Sequence, residues 1–200
     1  DLSKINELMY HINPSLRTKT TVTNEELMWL ESRFIELQEE VKDRFDKLDG
    51  GYFWLSKTPD VPSFYQDAGC KRICVWILVL DKTTNKKIVF SVTHLDNSSE
   101  DARIYGGNLI LEKLNNHYKN YPFVLMGDFN SLPTDKIYKN MSNIFSEVKT
   151  ICNLNPKGTF TCDADFNISS NCEELEIDFI FINEFINIYP IISLLFVIYI

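Results

Sequence analysis

The sequence predicts an α+β domain, because apolar runs of strand length alternate with stretches whose apolar residues recur at helical steps. Two sets of observations carry this. Residues 87–96, 121–130 and 176–182 are strand-like runs that end in, or enclose, polar side chains. Helix start signals of the capping-box type stand at Thr23 with Glu26 and at Ser98 with Asp101, each followed by helically spaced apolar residues.

In chain order the first predicted element is an amphipathic helix over residues 24–48. Leu27, Leu30, Phe34, Leu37, Val41, Phe45 and Leu48 repeat at steps of three and four, which lays them along one face. Glu39 falls two residues past Leu37, about 200° around the helix, and is read as a solvated residue on the opposite face. The expected divisions are a helical N-terminal segment at 1–49, a core at 50–184 and an apolar segment at 185–200.

Residues 87–96, Lys-Ile-Val-Phe-Ser-Val-Thr-His-Leu-Asp, form a strand that ends in His94 and Asp96. The helix announced by Ser98 and Asp101 runs on through Leu111, Leu114 and Tyr118. Residues 121–130, Tyr-Pro-Phe-Val-Leu-Met-Gly-Asp-Phe-Asn, return as a second strand. Residues i and i+2 of a strand share a side, so Asp128 and Asn130 can converge on one point beyond the sheet. A carboxylate beside a carboxamide suits a hard cation, a water or a phosphate oxygen. The bland alternative is a turn, which Gly, Asp and Asn all favour. A lone histidine is more often structural than catalytic, but His94 stands at the end of one strand and Asp128 at the end of another. In the third run, Asp178 lies among large apolar residues. An unpaired buried carboxylate costs several kcal/mol, so Asp178 needs a partner, a metal or a place at the strand's mouth. The alternative is an edge strand that turns it to solvent.

The strings SVTHLD, VLMGDFN, KGTFT and EIDFIFI, in this order, resemble the endonuclease/exonuclease/phosphatase family of divalent-metal-dependent hydrolases. Upstream, GYFWLSKTPDVPSF and DAGCKRICVWILVLDKTTNKKIVF are similar to a branch of that family common in bacteria. The resemblance covers residues 43–183 and implies a four-layer α/β/β/α sandwich of two mixed sheets, incomplete here, with the site at the sheet ends. It further implies hydrolysis of a phosphate ester with Mg2+ or Mn2+. His94 would contact the phosphate or act as general acid. Asp128 would orient and deprotonate the attacking water, Asn130 would hold the phosphate or a metal, and Asp178 would support the hydrogen-bond network; the metal ligands so implied are Asp128 and Asn130.

Two features of the family pattern are not found. The helical signal of residues 24–48 stands where the family has an asparagine-bearing strand and a Gln-Glu strand with its metal glutamate. The closing Ser-Asp-His triplet is also missing, since no histidine follows His117. In its place residues 185–200 are rich in Phe, Ile and Leu and broken by Pro190, with too few residues beyond it for a membrane-spanning helix. The expectation is a shortened gene product or a piece of a longer chain, which begins at Asp1 rather than at methionine.

Composition narrows the function classes. Two hundred residues, 44% of them hydrophobic, suffice for one domain with a sizeable core. A net charge of −8 repels a nucleic-acid backbone and argues against a non-specific duplex binder. A small phosphorylated or phosphodiester substrate is favoured over nucleic acid, with Lys71, Arg72 and Arg103 as basic residues near the expected site, although ordinary surface charge is their commoner role. Five cysteines, Cys70, Cys74, Cys152, Cys162 and Cys172, make no zinc pattern. Their odd number, without a secretory signal, points to free thiols in a reducing compartment such as the cytoplasm. Asn97, Asn140 and Asn167 open glycosylation-type triplets that an asparagine-rich chain produces by accident. Three functional readings follow: a metal-dependent phosphoesterase, a catalytically impaired relative that acts as a binding module, and a peripheral membrane phospholipid hydrolase that uses the apolar C-terminal segment.

Overall fold

In the computed structural model of the chain, residues 32, 42–151, 159 and 175–183 are described. Almost all belong to one compact unit, Lys47–Ile186. Glu39, most of the predicted helix at 24–48, residues 185–200, Asn167, Cys152, Cys162 and Cys172 lie outside the described residues.

The described chain runs β1 (Phe45–Trp54), β2 (Ile73–Asp81), β3 (Lys86–His94), α1 (Glu100–Ile110), a π-helical turn (Leu111–Asn115), β4 (Phe123–Asp128), α2 (Lys136–Ser142), β5 (Ser146–Glu147), α3 (Val148–Ile151) and β6 (Asp178–Ile182). Six strands form one mixed sheet in the order β1-β2-β3-β4-β6-β5. This is the α+β class the sequence predicts.

Strands β2 and β3 are runs of β-branched and aromatic residues joined by a short turn, and they pair antiparallel from Cys74 opposite Thr93 to Asp81 opposite Lys86. The turn is fixed by Asp81, whose carboxylate accepts the Thr83 N–H and the Thr84 hydroxyl, and by Asn85 in the left-handed region at φ 54°. After β3 the chain crosses through α1, and β4 returns parallel to β3, as a strand-helix-strand unit requires. β6 lies antiparallel between β4 and β5. Asp178 therefore begins an interior strand, not an edge strand.

One face of the sheet holds the core. Leu78, Val89, Phe123, Leu125, Phe179 and Phe181 pack with Leu109, Ile110 and Leu114 of the crossover and with Phe129, Ile137 and Met141. Burying each such side chain contributes about 1.5–3 kcal/mol. Asn183 fastens the start of β4: its amide accepts the Phe123 N–H and donates to the Tyr121 carbonyl.

Several predicted boundaries move, with β3 ending at His94 rather than Asp96 and β4 at Asp128 rather than Asn130. The helix pattern carried to Leu48 stops at Arg44, and Phe45–Leu48 belong to β1, because pairing of this backbone with β2 wins over local apolar spacing. The cap of α1 is Ser99 rather than Ser98: its hydroxyl accepts the Ala102 N–H. The Ser98 hydroxyl instead donates to Asn97 Oδ1. The crossover helix widens into a π-turn, with the Asn116 N–H on the Leu111 carbonyl, before Tyr118.

Candidate active site

Three strands stop at the same end of the sheet, and their last or first residues stand in one row. His94 of β3 is opposite Asp128 of β4, and Asp128 is opposite Asp178 of β6. Paired residues of neighbouring strands point to the same face, with Cβ atoms about 4.5–5.5 Å apart. The register therefore gathers all three side chains, on the face away from the Phe123, Leu125 and Phe179 core.

Asp128 is the hinge of the row. Its Oδ1 accepts the Asn130 N–H at 2.7 Å, and its Oδ2 lies 3.4 Å from His94 Nε2. The His94 side chain is 53% exposed and that of Asp128 27%, so the site opens to solvent on the histidine side. The main chain locks the strand ends together: the Leu95 N–H donates to the Asp128 carbonyl and the Phe129 N–H to the Ile177 carbonyl, both at 2.8 Å.

Asn130 arrives by a different route from the one predicted. It is not two steps further along a strand but past the strand's end, in the left-handed region at φ 46°. The carboxylate of Asp128 closes an Asx-type turn onto its N–H, and its Nδ2 donates to the Leu95 carbonyl at 2.9 Å. The turn and the site are thus one structure. Gly127 makes the approach possible: φ is +140°, and a Cβ there would lie 1.8 Å from the Thr93 carbonyl oxygen.

Asp178 sits at the mouth of β6, partly buried. Its N–H and that of Ile177 both donate to Thr159 Oγ1 at 3.1 Å. Thr159 is the central threonine of the KGTFT string, and its positional role was missed by sequence reasoning. The string itself was the signal.

The sequence pattern marks Asp96 only as the end of a strand. It is in fact among the most enclosed polar residues here, at 2% exposure, and it binds backbone N–H groups of the β1–β2 loop and of the entry to α1. The Asp-Asn-Ser-Ser sequence ahead of a helix is the cue that marks it. Arg103 is nearby, as expected, with Nη1 on the Asp96 carbonyl at 2.9 Å. Arg72 lends its carbonyl to the Leu55 N–H, and Lys71 is exposed.

The loop between β1 and β2 lies at the same sheet end, since β2 begins where β3 finishes. It carries a knot of hydroxyls, with Ser63 Oγ within 2.5 Å of Ser56 Oγ and 2.8 Å of Thr58 Oγ1. Tyr65 stacks on Tyr105 of α1 at 4.4 Å, and the Tyr105 hydroxyl donates to the Ser56 carbonyl.

For a divalent cation the donors on offer are hard oxygens: the carboxylates of Asp128 and Asp178, face to face in register, and the carboxamide oxygen of Asn130. The set fits an ion that keeps several of its waters. Among the described residues no group of three or more His, Cys, Asp and Glu is gathered closely enough to hold one alone. Cys70 and Cys74 carry free thiols, and burial pushes the Cys74 thiol far above its usual range. No helix among the described residues is long and apolar enough to cross a membrane.

Comparison with known proteins gives the following likenesses. No family model matches the chain, and no curated protein does. Solved structures do. A mannosyl-6-phosphatase of Bacteroides thetaiotaomicron is 32% identical, with a TM-score of 0.61, over 71% of this chain and 54% of its own. An endonuclease/exonuclease/phosphatase family protein of the same organism is 32% identical, with a TM-score of 0.62, over 71% and 52%. A functionally unknown conserved protein of Enterococcus faecalis is 36% identical, with a TM-score of 0.61, over 71% and 56%. The chain spans about half the length of these structures.

Proposed function

We propose, taking the chain as the endonuclease/exonuclease/phosphatase-type protein that its motifs and structural neighbours make it, that His94, Asp128, Asn130 and Asp178 form a phosphate-ester hydrolase site. The observation that carries this reading is the row His94-Asp128-Asp178 across three adjacent strands, with Asn130 folded back onto it.

Asp128 orients the attacking water and takes its proton. One of its oxygens is steadied by the Asn130 N–H, and the other is directed towards His94, so the carboxylate is fixed in rotation. His94, reaching into solvent, meets the phosphoryl oxygens or delivers a proton to the leaving oxygen. Asn130, with its nitrogen committed to Leu95, leaves its amide oxygen for a cation, and Asp178 supports the network from β6. Mg2+ or Mn2+ would be held by Asp128 and Asn130 and, when bound, would supply charge neutralisation at the phosphoryl oxygens.

A small phosphorylated molecule is the favoured substrate. One neighbour is named a mannosyl-6-phosphatase, and a chain of net charge −8 repels duplex backbones. The same reading implies a second sheet that completes a four-layer sandwich. Val75 and Val92, paired across β2 and β3 and 47% and 50% exposed, lie on the face it would cover.

The test is hydrolysis of mannose 6-phosphate and of bis-p-nitrophenyl phosphate, with Mg2+, with Mn2+ and with chelator. Turnover requires the cation, and Asp128→Ala lowers it by at least about a hundredfold. Turnover unchanged in that variant overturns the reading. Because the chain spans about half of its neighbours, a second reading stands beside the first: a binding module that retains the fold without turnover. Calorimetric titration with Mg2+ separates them, since a saturable signal lost in Asp128→Ala counts against the module.

A further inference from the structure

We infer that Asp96 is a positioning residue for this site; the inference rests on the hydrolase reading above. Its carboxylate gathers four backbone N–H groups from two segments. Oδ1 accepts from Gly69 at 3.2 Å, Ser98 at 3.0 Å and Ser99 at 2.8 Å, and Oδ2 accepts from Cys70 at 3.0 Å. Two donors belong to the entry of α1. The other two come from the β1–β2 loop, 26 and 27 residues away in sequence. A helix cap has no need of that second pair.

One residue, Leu95, separates Asp96 from His94. Leu95 donates its N–H to the Asp128 carbonyl and receives Asn130 Nδ2 on its own carbonyl. His94, immediately before it, reaches Asp128 through its ring. The tripeptide His94-Leu95-Asp96 is therefore a strut. One end touches Asp128 and Asn130, and the other is fastened by Asp96 to the loop and to the helix. Arg103 Nη1 braces the fastened end at the Asp96 carbonyl. Burial alone would push the Asp96 carboxyl up, but the N–H groups of Ser99, Gly69, Cys70 and Ser98 outweigh it and hold the carboxyl below its usual value, so the fastening is a charged one. Asparagine at this position keeps an oxygen for the Gly69, Ser98 and Ser99 N–H groups, but it turns an amide nitrogen towards the Cys70 N–H and removes the negative charge that strengthens all four bonds.

The experiment compares Asp96→Asn with Ser99→Ala in the full chain. Ser99→Ala removes only the cap hydroxyl and leaves all four N–H donors. Turnover is measured with the substrate the unaltered chain hydrolyses, and amide hydrogen exchange is followed at Gly69, Cys70, Leu95 and Asn130. In Asp96→Asn, exchange rises at all four, and kcat falls about ten- to a hundredfold with KM little changed. In Ser99→Ala, stability falls while exchange at Leu95 and Asn130 and kcat are retained. If Asp96→Asn does not fold, Asp96→Ser takes its place: its hydroxyl serves the helix side but not the loop, and kcat again falls. Exchange at Leu95 and Asn130 equal to that of the unaltered chain, or a kcat loss reproduced by Ser99→Ala, overturns the inference. A chain without any turnover removes the hydrolase reading, and the exchange at Leu95 and Asn130 still decides whether Asp96 holds the strut.

Discussion

Gly127 is the residue on which the end of β4 depends. Its φ of +140° is open to glycine alone among ordinary residues, and the space a Cβ would need is filled by the backbone of Thr93, which cannot swing aside. Gly127→Ala is expected to destabilise the fold by more than about 2 kcal/mol, read from the urea midpoint. Asn130 presents the opposite case. At φ 46° it tolerates glycine, so Asn130→Gly keeps stability within about 1 kcal/mol while losing the bond to Leu95 and most of the turnover. An Asn130→Gly chain that hydrolyses normally removes Asn130 from the site. At this scale the sequence was legible where chemistry and position coincide: His94, Asp128 and Asp178 each stand at a strand end, and the register brings them together. It was not legible where a side chain serves remote backbone. Nothing local tells that Asp96 clamps Gly69 and Cys70, or that Thr159 holds the start of β6.

The elements are held apart at distances set by small residues. Gly107 of α1 faces α2 so closely that an added Cβ would lie 2.3 Å from Ile137 Cδ1 and 2.8 Å from Met141 Cε. Gly107→Ala should therefore destabilise by about 1–3 kcal/mol through overpacking. Ile137→Val removes the nearest atom, and in the double variant the two costs should sum to less than their separate values, a coupling that a double-mutant cycle measures. Additive costs would mean that the helices move rather than collide. The strand-helix-strand unit could be read in advance because each of its parts carries its own periodicity. Residues 45–48 could not: the apolar spacing of Phe45 and Leu48 fits a helix, and only the partner strand β2, distant in sequence, decides otherwise. The one-residue displacement of the cap from Ser98 to Ser99 is local in origin, since Asp96 winds the chain before the helix begins.

Across the whole molecule, the Asp96 clamp should add an acid-sensitive contribution to stability. Its carboxyl is held below the ordinary value in the folded state, so its stabilisation is complete above the unfolded pKa, near 3.8, and is lost as pH falls through the lower folded value. The urea midpoint is expected to drop as pH falls below about 4, and to drop less in Asp96→Asn, which has no such proton to gain. Equal slopes for the two chains would place the acid sensitivity elsewhere. The order of the sheet carries a consequence for how the molecule comes into being. β6, the last described strand in sequence, slots between β4 and β5, so as the chain leaves the ribosome β4 waits with one naked border and β5 has nothing to join. Such borders invite pairing with a neighbouring copy. A nascent chain halted just short of Asp178 would be sticky, and the arrival of this one late strand closes the border and adds the last acid of the candidate row together.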